Sequence, residues 1–277
     1  MITITTKLSD SQLGILFLFS ALSSITLGFS KYGSLNENDF FEQDLALSYH
    51  FSKDTIETQT LWLINFFVIV GALIITAFTN DNNVLKFDKL ILFSFFAYNS
   101  IVITDALTEY LKRAIGEPRP CAFYLCNYKG YANAVNSGNY TEYYKQTTFG
   151  NIGNFSNCED IDAFMSWPSG HASTSFSAML ISAIIIEQNI KDHVIYPINL
   201  ISYVLLAIST YIACSRVQDN KHHSYDIFSG AVIGIVVTIT MSFITTNIIN
   251  DLIKNTQSTS KNNNQSKIDN YDNYFHF

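Results

Sequence analysis

The stretch PSGHASTSFSAMLISAIII, residues 168–186, decides how this chain folds. It opens with Pro168-Ser169-Gly170-His171 and continues into the fourth of six apolar runs, Ala172 to Ile186, which is short and rich in Ser. By hydropathy alone that run reads as a buried helix as readily as a membrane span. The other five are Leu13 to Phe29, Leu61 to Phe78, Leu90 to Leu111, Val194 to Cys214 and Ile227 to Ile249. Most approach the ~20 residues that a bilayer requires. If the fourth run is a span, the count is six, and an even count returns both termini to one face. Segments 31–60, 112–171 and 215–226 then share the opposite face. The expected fold is therefore all-α, an integral membrane bundle of six transmembrane helices with its polar segments gathered at one membrane face.

Composition agrees: with 48% hydrophobic and only 14% charged residues, the chain is too poor in charge for an ordinary soluble domain of 277 residues. The first run has only Lys7 ahead of it and no clear small-x-small site after it, so a retained helix is expected rather than a cleaved signal. A net charge of -7 with dispersed basic residues offers no stripe for nucleic acid. Residues 1–249 read as one six-span domain with a long extramembrane loop at about 113–168. From Asn250 onward the chain is rich in Asn, Ser, Lys and Gln, the composition of a disordered tail. Gly230 and Gly234, four apart in the last run, suit close helix packing, though such a pair alone is a weak signal. Self-association is left open.

Orientation is less direct. The face of the termini carries seven Lys or Arg and the opposite face nine, which does not decide by the positive-inside rule. Two other signals favour a luminal or extracellular loop and cytoplasmic termini. The loop holds the glycosylation acceptors Asn139-Tyr140-Thr141 and Asn154-Phe155-Ser156, although a chain this rich in Asn also carries Asn264-Gln265-Ser266 in its tail. It also holds Cys121, Cys126 and Cys158, of which one pair bridges in an oxidising compartment or all three stay free. Cys214, at a helix end, needs no role.

The three polar clusters share a chemistry. A tetrahedral phosphate presents charge in several directions, so its site calls for cations and N–H donors converging from different segments. Lys112, Arg119 and Arg216 are candidates for the cations. Lys112 follows Glu109 by one helical turn, and Arg119 is held between Pro118 and Pro120. Pro168-Ser169-Gly170-His171 opens a helix, where free N–H groups and the helix dipole attract an anion and Gly170 permits close backbone approach. His222 and Asp226 are four apart at the head of the last run, one turn if the helix has begun there, with His223 then pointing elsewhere. A carboxylate on one ring nitrogen makes the other a better nucleophile. Each residue alone has an ordinary alternative: Lys112 as an interface anchor, Ser169 as a helix cap, His171 as a polar interface residue. Two adjacent histidines with one carboxylate and no suitably spaced fourth ligand make a poor zinc site, so neither metal nor cofactor is expected.

Together, Lys112-x6-Arg119-Pro120, Pro168-Ser169-Gly170-His171 and Ser215-Arg216-x5-His222-x3-Asp226 resemble the type 2 phosphatidic acid phosphatase and vanadium haloperoxidase superfamily at every signature position. Residues 215–223 and the stretch from Phe41 to Ile56 look like the eukaryotic lipid phosphate phosphatases within it. The resemblance implies that His222 attacks phosphorus, Asp226 orients it, and His171 protonates the departing alkoxide. It assigns Lys112, Arg119, Ser169, Gly170 and Arg216 to the phosphoryl oxygens, needs no divalent metal, and implies a lipid phosphomonoester as substrate. Sphingoid phosphates, polyprenyl or diacylglycerol pyrophosphates, head-group phosphotransfer and a non-catalytic lipid-binding role remain as alternatives. One departure is Glu117-Pro118 before Arg119, where the family often carries a basic pair, and it bears on head-group preference.

Overall fold

The computed structural model describes residues 10–32, 34–35, 38–79, 83–155, 158–189, 195–244 and 246–247. The tail from Asn250 onward and Ser156 of the second acceptor sequence lie outside them. In chain order the helices are α1 (Asp10–Ser30), α2 (Thr58–Thr79), α3 (Asn83–Ile115), α4 (Ala122–Leu125), α5 (Tyr131–Ser137), α6 (Thr141–Gln146), α7 (Gly170–Asn189), α8 (Ile195–Gln218) and α9 (Ser224–Ile244). Five of them, α1, α2, α3, α8 and α9, are long and apolar enough to cross a bilayer. Their outward faces expose large apolar side chains such as Phe17, Phe67, Phe78, Phe228 and Phe243, as lipid-facing surfaces do. This is a multi-pass membrane protein.

The expectation of six apolar spans is met in five. The remaining one, α7, has 20 residues, about 30 Å at 1.5 Å per residue, so it has spanning length without spanning hydropathy. The reason is its position. It packs against α2, α3 and α8, and most of its residues are buried. Its hydroxyls are used inside the bundle. Ser177 Oγ lies 3.0 Å from Ser100 Oγ and accepts from Thr238 Oγ1 at 2.9 Å, while Thr108 Oγ1 donates to Ser173 Oγ at 2.9 Å. These bonds tie α3, α7 and α9 together where lipid offers hydroxyls no other partner.

Gly230 and Gly234 set how closely α9 approaches α7. A Cβ at Gly230 would lie 2.4 Å from the Ser169 carbonyl oxygen, and one at Gly234 would lie 2.2 Å from that of Ser173. The weak sequence signal therefore marks a backbone-to-backbone contact at the start of α7.

At the other end of α3, Gly116 stops the helix in the left-handed region (φ 64°), with its N–H donating to the Lys112 carbonyl at 2.8 Å, and Pro118 follows. Residues 116–169 are more than a connecting loop. Phe40, Phe123, Tyr128, Phe155 and Phe164 form a small aromatic core, covered by α4 to α6. A two-residue antiparallel ladder, β1 (Phe40–Phe41) with β2 (Ile152–Gly153), ties this unit to the segment before α2. Of the three loop cysteines, Cys126 and Cys158 are bridged and Cys121 is a buried free thiol. Asn139 of the first acceptor sequence is exposed.

Candidate active site

The end of α3, the start of α7 and the turn between α8 and α9 meet around a cavity of about 260 Å³, with residues 54–58 closing one side. Lys112, Arg119, Gly170, His171, Arg216 and His222 line it. Ser169 and Asp226 stand behind the wall, both buried.

Each cation is held by an acid. Lys112 Nζ lies 3.4 Å from Glu109 Oε1, the neighbour one turn back. Arg119 donates through Nη2 to Asp162 Oδ1 at 2.7 Å, through Nε to the Asp162 carbonyl at 2.7 Å, and through Nη1 to the Lys221 carbonyl at 3.1 Å. Arg216 donates through Nη2 to Asp54 Oδ1 at 3.2 Å and through Nη1 to the Ile56 carbonyl at 3.3 Å, and it lies 3.5 Å from Asp219 Oδ2. A fourth cation, Lys221, sits 3.6 Å from Asp54 Oδ1 with its ammonium 3.4 Å over the centroid of Phe51. Burial pushes its pKa below the ordinary lysine value, with Asp54 opposing. Asp219 in turn accepts from the Thr55 backbone N–H at 2.7 Å and hydroxyl at 2.6 Å, which fixes residues 54–56 against the end of α8. Sequence reading missed Asp54, Asp162 and Lys221, since single charges in polar segments carry no periodic signal.

Ser169 occupies the capping position of α7, yet its Oγ makes no cap bond and has no partner among the described residues. Its backbone N–H donates instead to the Asp226 carbonyl at 3.1 Å. The buried Nε of Arg216 is likewise without a partner among the described residues. Gly170 faces Lys112: a Cβ there would meet Nζ at 3.6 Å, an ordinary contact, so the glycine leaves open space beside the ammonium.

The two histidines have distinct settings. His171 Nε2 lies 3.1 Å from the Ile56 carbonyl, which can only accept, so Nε2 carries the proton and Nδ1 is the nitrogen open to proton exchange. His222 is buried, with Nδ1 3.4 Å from Asp226 Oδ2, a contact long for a hydrogen bond and of the kind that tightens when substrate binds. Burial, opposed by Asp226 and reinforced by the charges of Arg119 and Lys112, pushes the His222 pKa down to about 3. Its ring is therefore neutral, and with Nδ1 turned to Asp226 the Nε2 lone pair is left free.

The helical-turn reading of this pair needs correction. Helix α9 begins at Ser224, so His222 lies in the preceding turn and not one helical turn from Asp226. Nor does His223 point away: its Nδ1 lies 3.6 Å from Asp226 Oδ2, and its backbone N–H donates to that oxygen at 2.8 Å. Asp226 thus closes the first turn of α9 as the acid of a capping box does. It also accepts from Ser166 Oγ at 2.6 Å, which leaves Oδ2 crowded with donors and Oδ1 unpartnered.

Among the described residues, Glu117, His223 and Asp226 place one potential metal-ligand atom each within 4.8 Å of one another. Both carboxylates there already accept hydrogen bonds, Glu117 from Tyr225 Oη and Asp226 from Ser166 and His223. Glu117, the departure from the family pattern, faces Tyr225 and does not line the cavity.

The chain is 30% identical over 146 residues to lipid phosphate phosphatase 2 of Arabidopsis thaliana, covering 50% of this chain and 45% of that protein. It is 30% identical over 161 residues to phospholipid phosphatase 1 of Rattus norvegicus, covering 57% and 52%. A longer match, 24% identity over 280 residues, joins it to the phospholipid phosphatase homolog 1.2 homolog of Caenorhabditis elegans, with 91% and 77% covered. The chain spans about half the length of the plant and rat relatives. Residues 93–250, which carry all three polar clusters, match the PAP2 superfamily, and the chain belongs to that superfamily.

Proposed function

We propose that this protein hydrolyses lipid phosphomonoesters, phosphatidate, lysophosphatidate or a close relative, through a phosphohistidine intermediate and without a divalent metal. The observation that carries the reading is the convergence of His222, His171 and four cations on one cavity at the end of apolar helices. The names of the relatives, lipid phosphate phosphatase and phospholipid phosphatase, support the same class.

A bound phosphoryl group competes with Glu109, Asp162 and Asp54 for Lys112, Arg119 and Arg216, and draws on the free Ser169 hydroxyl and the N–H groups opening α7. The charge that a metal supplies elsewhere comes here from side chains. The lone pair of His222 Nε2 attacks phosphorus, and the bond from phosphorus to the lipid oxygen breaks. The leaving oxygen takes a proton from His171. Water then attacks the phosphorus of phosphohistidine, giving its proton to His171, and the P–N electron pair returns to His222. Asp226 stabilises positive charge on the His222 ring throughout. A bound phosphate dianion raises the proton affinity of both rings, supplying the protonated His171 that the first step needs.

In this reading α7 is the sixth span, both termini lie in the cytoplasm, and the cavity faces the lumen or exterior. The Cys126–Cys158 bridge and the exposed Asn139 support that orientation. Purified protein in detergent with a chelator should release phosphate from phosphatidate, and His222→Ala and His171→Ala should abolish that release. Full activity of His222→Ala would overturn the mechanism.

A further inference from the structure

A second cavity, about 370 Å³ and almost wholly apolar, lies between α1, α2 and α3. It adjoins the candidate active site: Trp62 and Asp105 line both. Leu27, Phe66, Ile69 and Val102 make up much of its wall. In that wall stands one amide, Asn65, which is 2% exposed and has no hydrogen-bond partner for Oδ1 or Nδ2 among the described residues.

An unpaired buried amide is costly, and the rest of the bundle avoids it. Asn99, on α3, accepts from Ser23 Oγ at 2.7 Å and donates to Ser20 Oγ at 2.8 Å and to the Phe95 carbonyl at 2.7 Å. Asn189 donates to Thr76 Oγ1 at 3.0 Å and to the Ile185 carbonyl at 2.6 Å. Asn65 lies ~4.5 Å along α2 from Trp62, on the side away from the phosphate cavity. Asn65 thus follows Trp62 on α2 in the apolar cavity, on the path that a chain attached to a phosphate in the neighbouring cavity would take.

We propose that the groove between α1, α2 and α3 holds the hydrocarbon chain of a single-chain glycerol lipid phosphate, with the Asn65 amide bonding its ester carbonyl and its free hydroxyl. The amide offers one donor group and one acceptor, and a monoacylglycerol phosphate presents the matching acceptor and donor next to one chain. The groove supplies the apolar surface for that chain. This proposal rests on the reading of the protein as a lipid phosphate phosphatase.

The test compares 1-oleoyl lysophosphatidate with oleyl phosphate, which has a similar chain and phosphate but no ester or hydroxyl. Two neutral hydrogen bonds correspond to a preference in kcat/KM of roughly 30-fold for the lysophosphatidate, which Asn65→Leu should reduce to about threefold or less. A ratio unchanged in Asn65→Leu would overturn the role of Asn65. Binding is read separately from turnover through quenching of Trp62 fluorescence, in a Trp167→Phe background, by lysophosphatidate with a brominated chain. Quenching that weakens at least tenfold in affinity in Asn65→Leu supports the groove, and absence of quenching overturns it. Absence of turnover with quenching intact would refute the phosphatase reading while leaving the groove standing.

Discussion

Replacing Gly230 by Ala tests whether the approach of α9 to α7 sets the geometry of the site. The added Cβ would lie 2.4 Å from the Ser169 carbonyl oxygen and 3.1 Å from Ala172 Cβ, where ordinary contact begins near 3.4 Å. The obstacle is backbone at the start of α7, so it cannot swing aside, and α9 must retreat by about 1 Å. That retreat separates Asp226, on α9, from the Ser169 N–H that its carbonyl holds at 3.1 Å, and shifts the carboxylate behind His222. Overpacking of this kind costs about 1–3 kcal/mol, which a folded bundle survives, whereas a misplacement near 1 Å costs about 100-fold in rate. Phosphate release from lysophosphatidate in detergent micelles should show kcat reduced roughly 100-fold in Gly230→Ala, with Tm lowered by several degrees. Gly71→Ala is the control, since nothing lies within 4 Å of its Cβ, and it should keep wild-type rates and gain up to about 1 kcal/mol of helix stability. A Gly230→Ala protein with wild-type kcat would refute the claim that this contact positions Asp226.

Two further outcomes follow from buried groups. His222 has a depressed pKa in the fold, so its contribution to stability is complete above about pH 6.5 and is lost as pH falls toward 3, amounting to about 3 kcal/mol at pH 4; the Tm of His222→Asn should therefore fall less than that of wild type between pH 7 and pH 4, and parallel curves would contradict its burial as a neutral ring. The Cys126–Cys158 bridge closes a separation of 32 residues, a constraint of about 4 kcal/mol on the unfolded loop; denatured protein should take up two equivalents of maleimide before reduction and four after, and Cys126→Ser should make residues 116–169 more sensitive to protease, while four equivalents before reduction would show the bridge absent.

The motif spacing named Lys112, Arg119, His171, Arg216 and His222, and the structure places all five around one cavity. What spacing could not show was how they are held. Asp54 and Asp162 reach Arg216 and Arg119 only because residues 54–56 and the 3₁₀ turn at Ile161–Phe164 fold back over the site, contacts set by tertiary packing. The fourth run was ambiguous for a physical reason: hydropathy counts each hydroxyl as a cost, whereas in α7 the hydroxyls bond to α3 and α9 and to their own helix. The reading of His222 and Asp226 as a helical pair failed because the capping interaction of Asp226 places the helix start at Ser224. The aromatic unit at residues 116–169 was overlooked because its core lacks helical or strand periodicity and draws Phe40 from a distant segment.

The central claim is that His222 carries the phosphoryl group. Wild-type protein mixed with phosphatidate and quenched in alkali within a turnover, then digested and analysed by mass spectrometry, should carry phosphate on His222, and His171→Ala should carry little or none because the departing lipid oxygen lacks the proton that the first step needs. Phosphate on another residue, or an unlabelled His222 in a chain that is turning over substrate with phosphoryl transfer complete, would contradict the account.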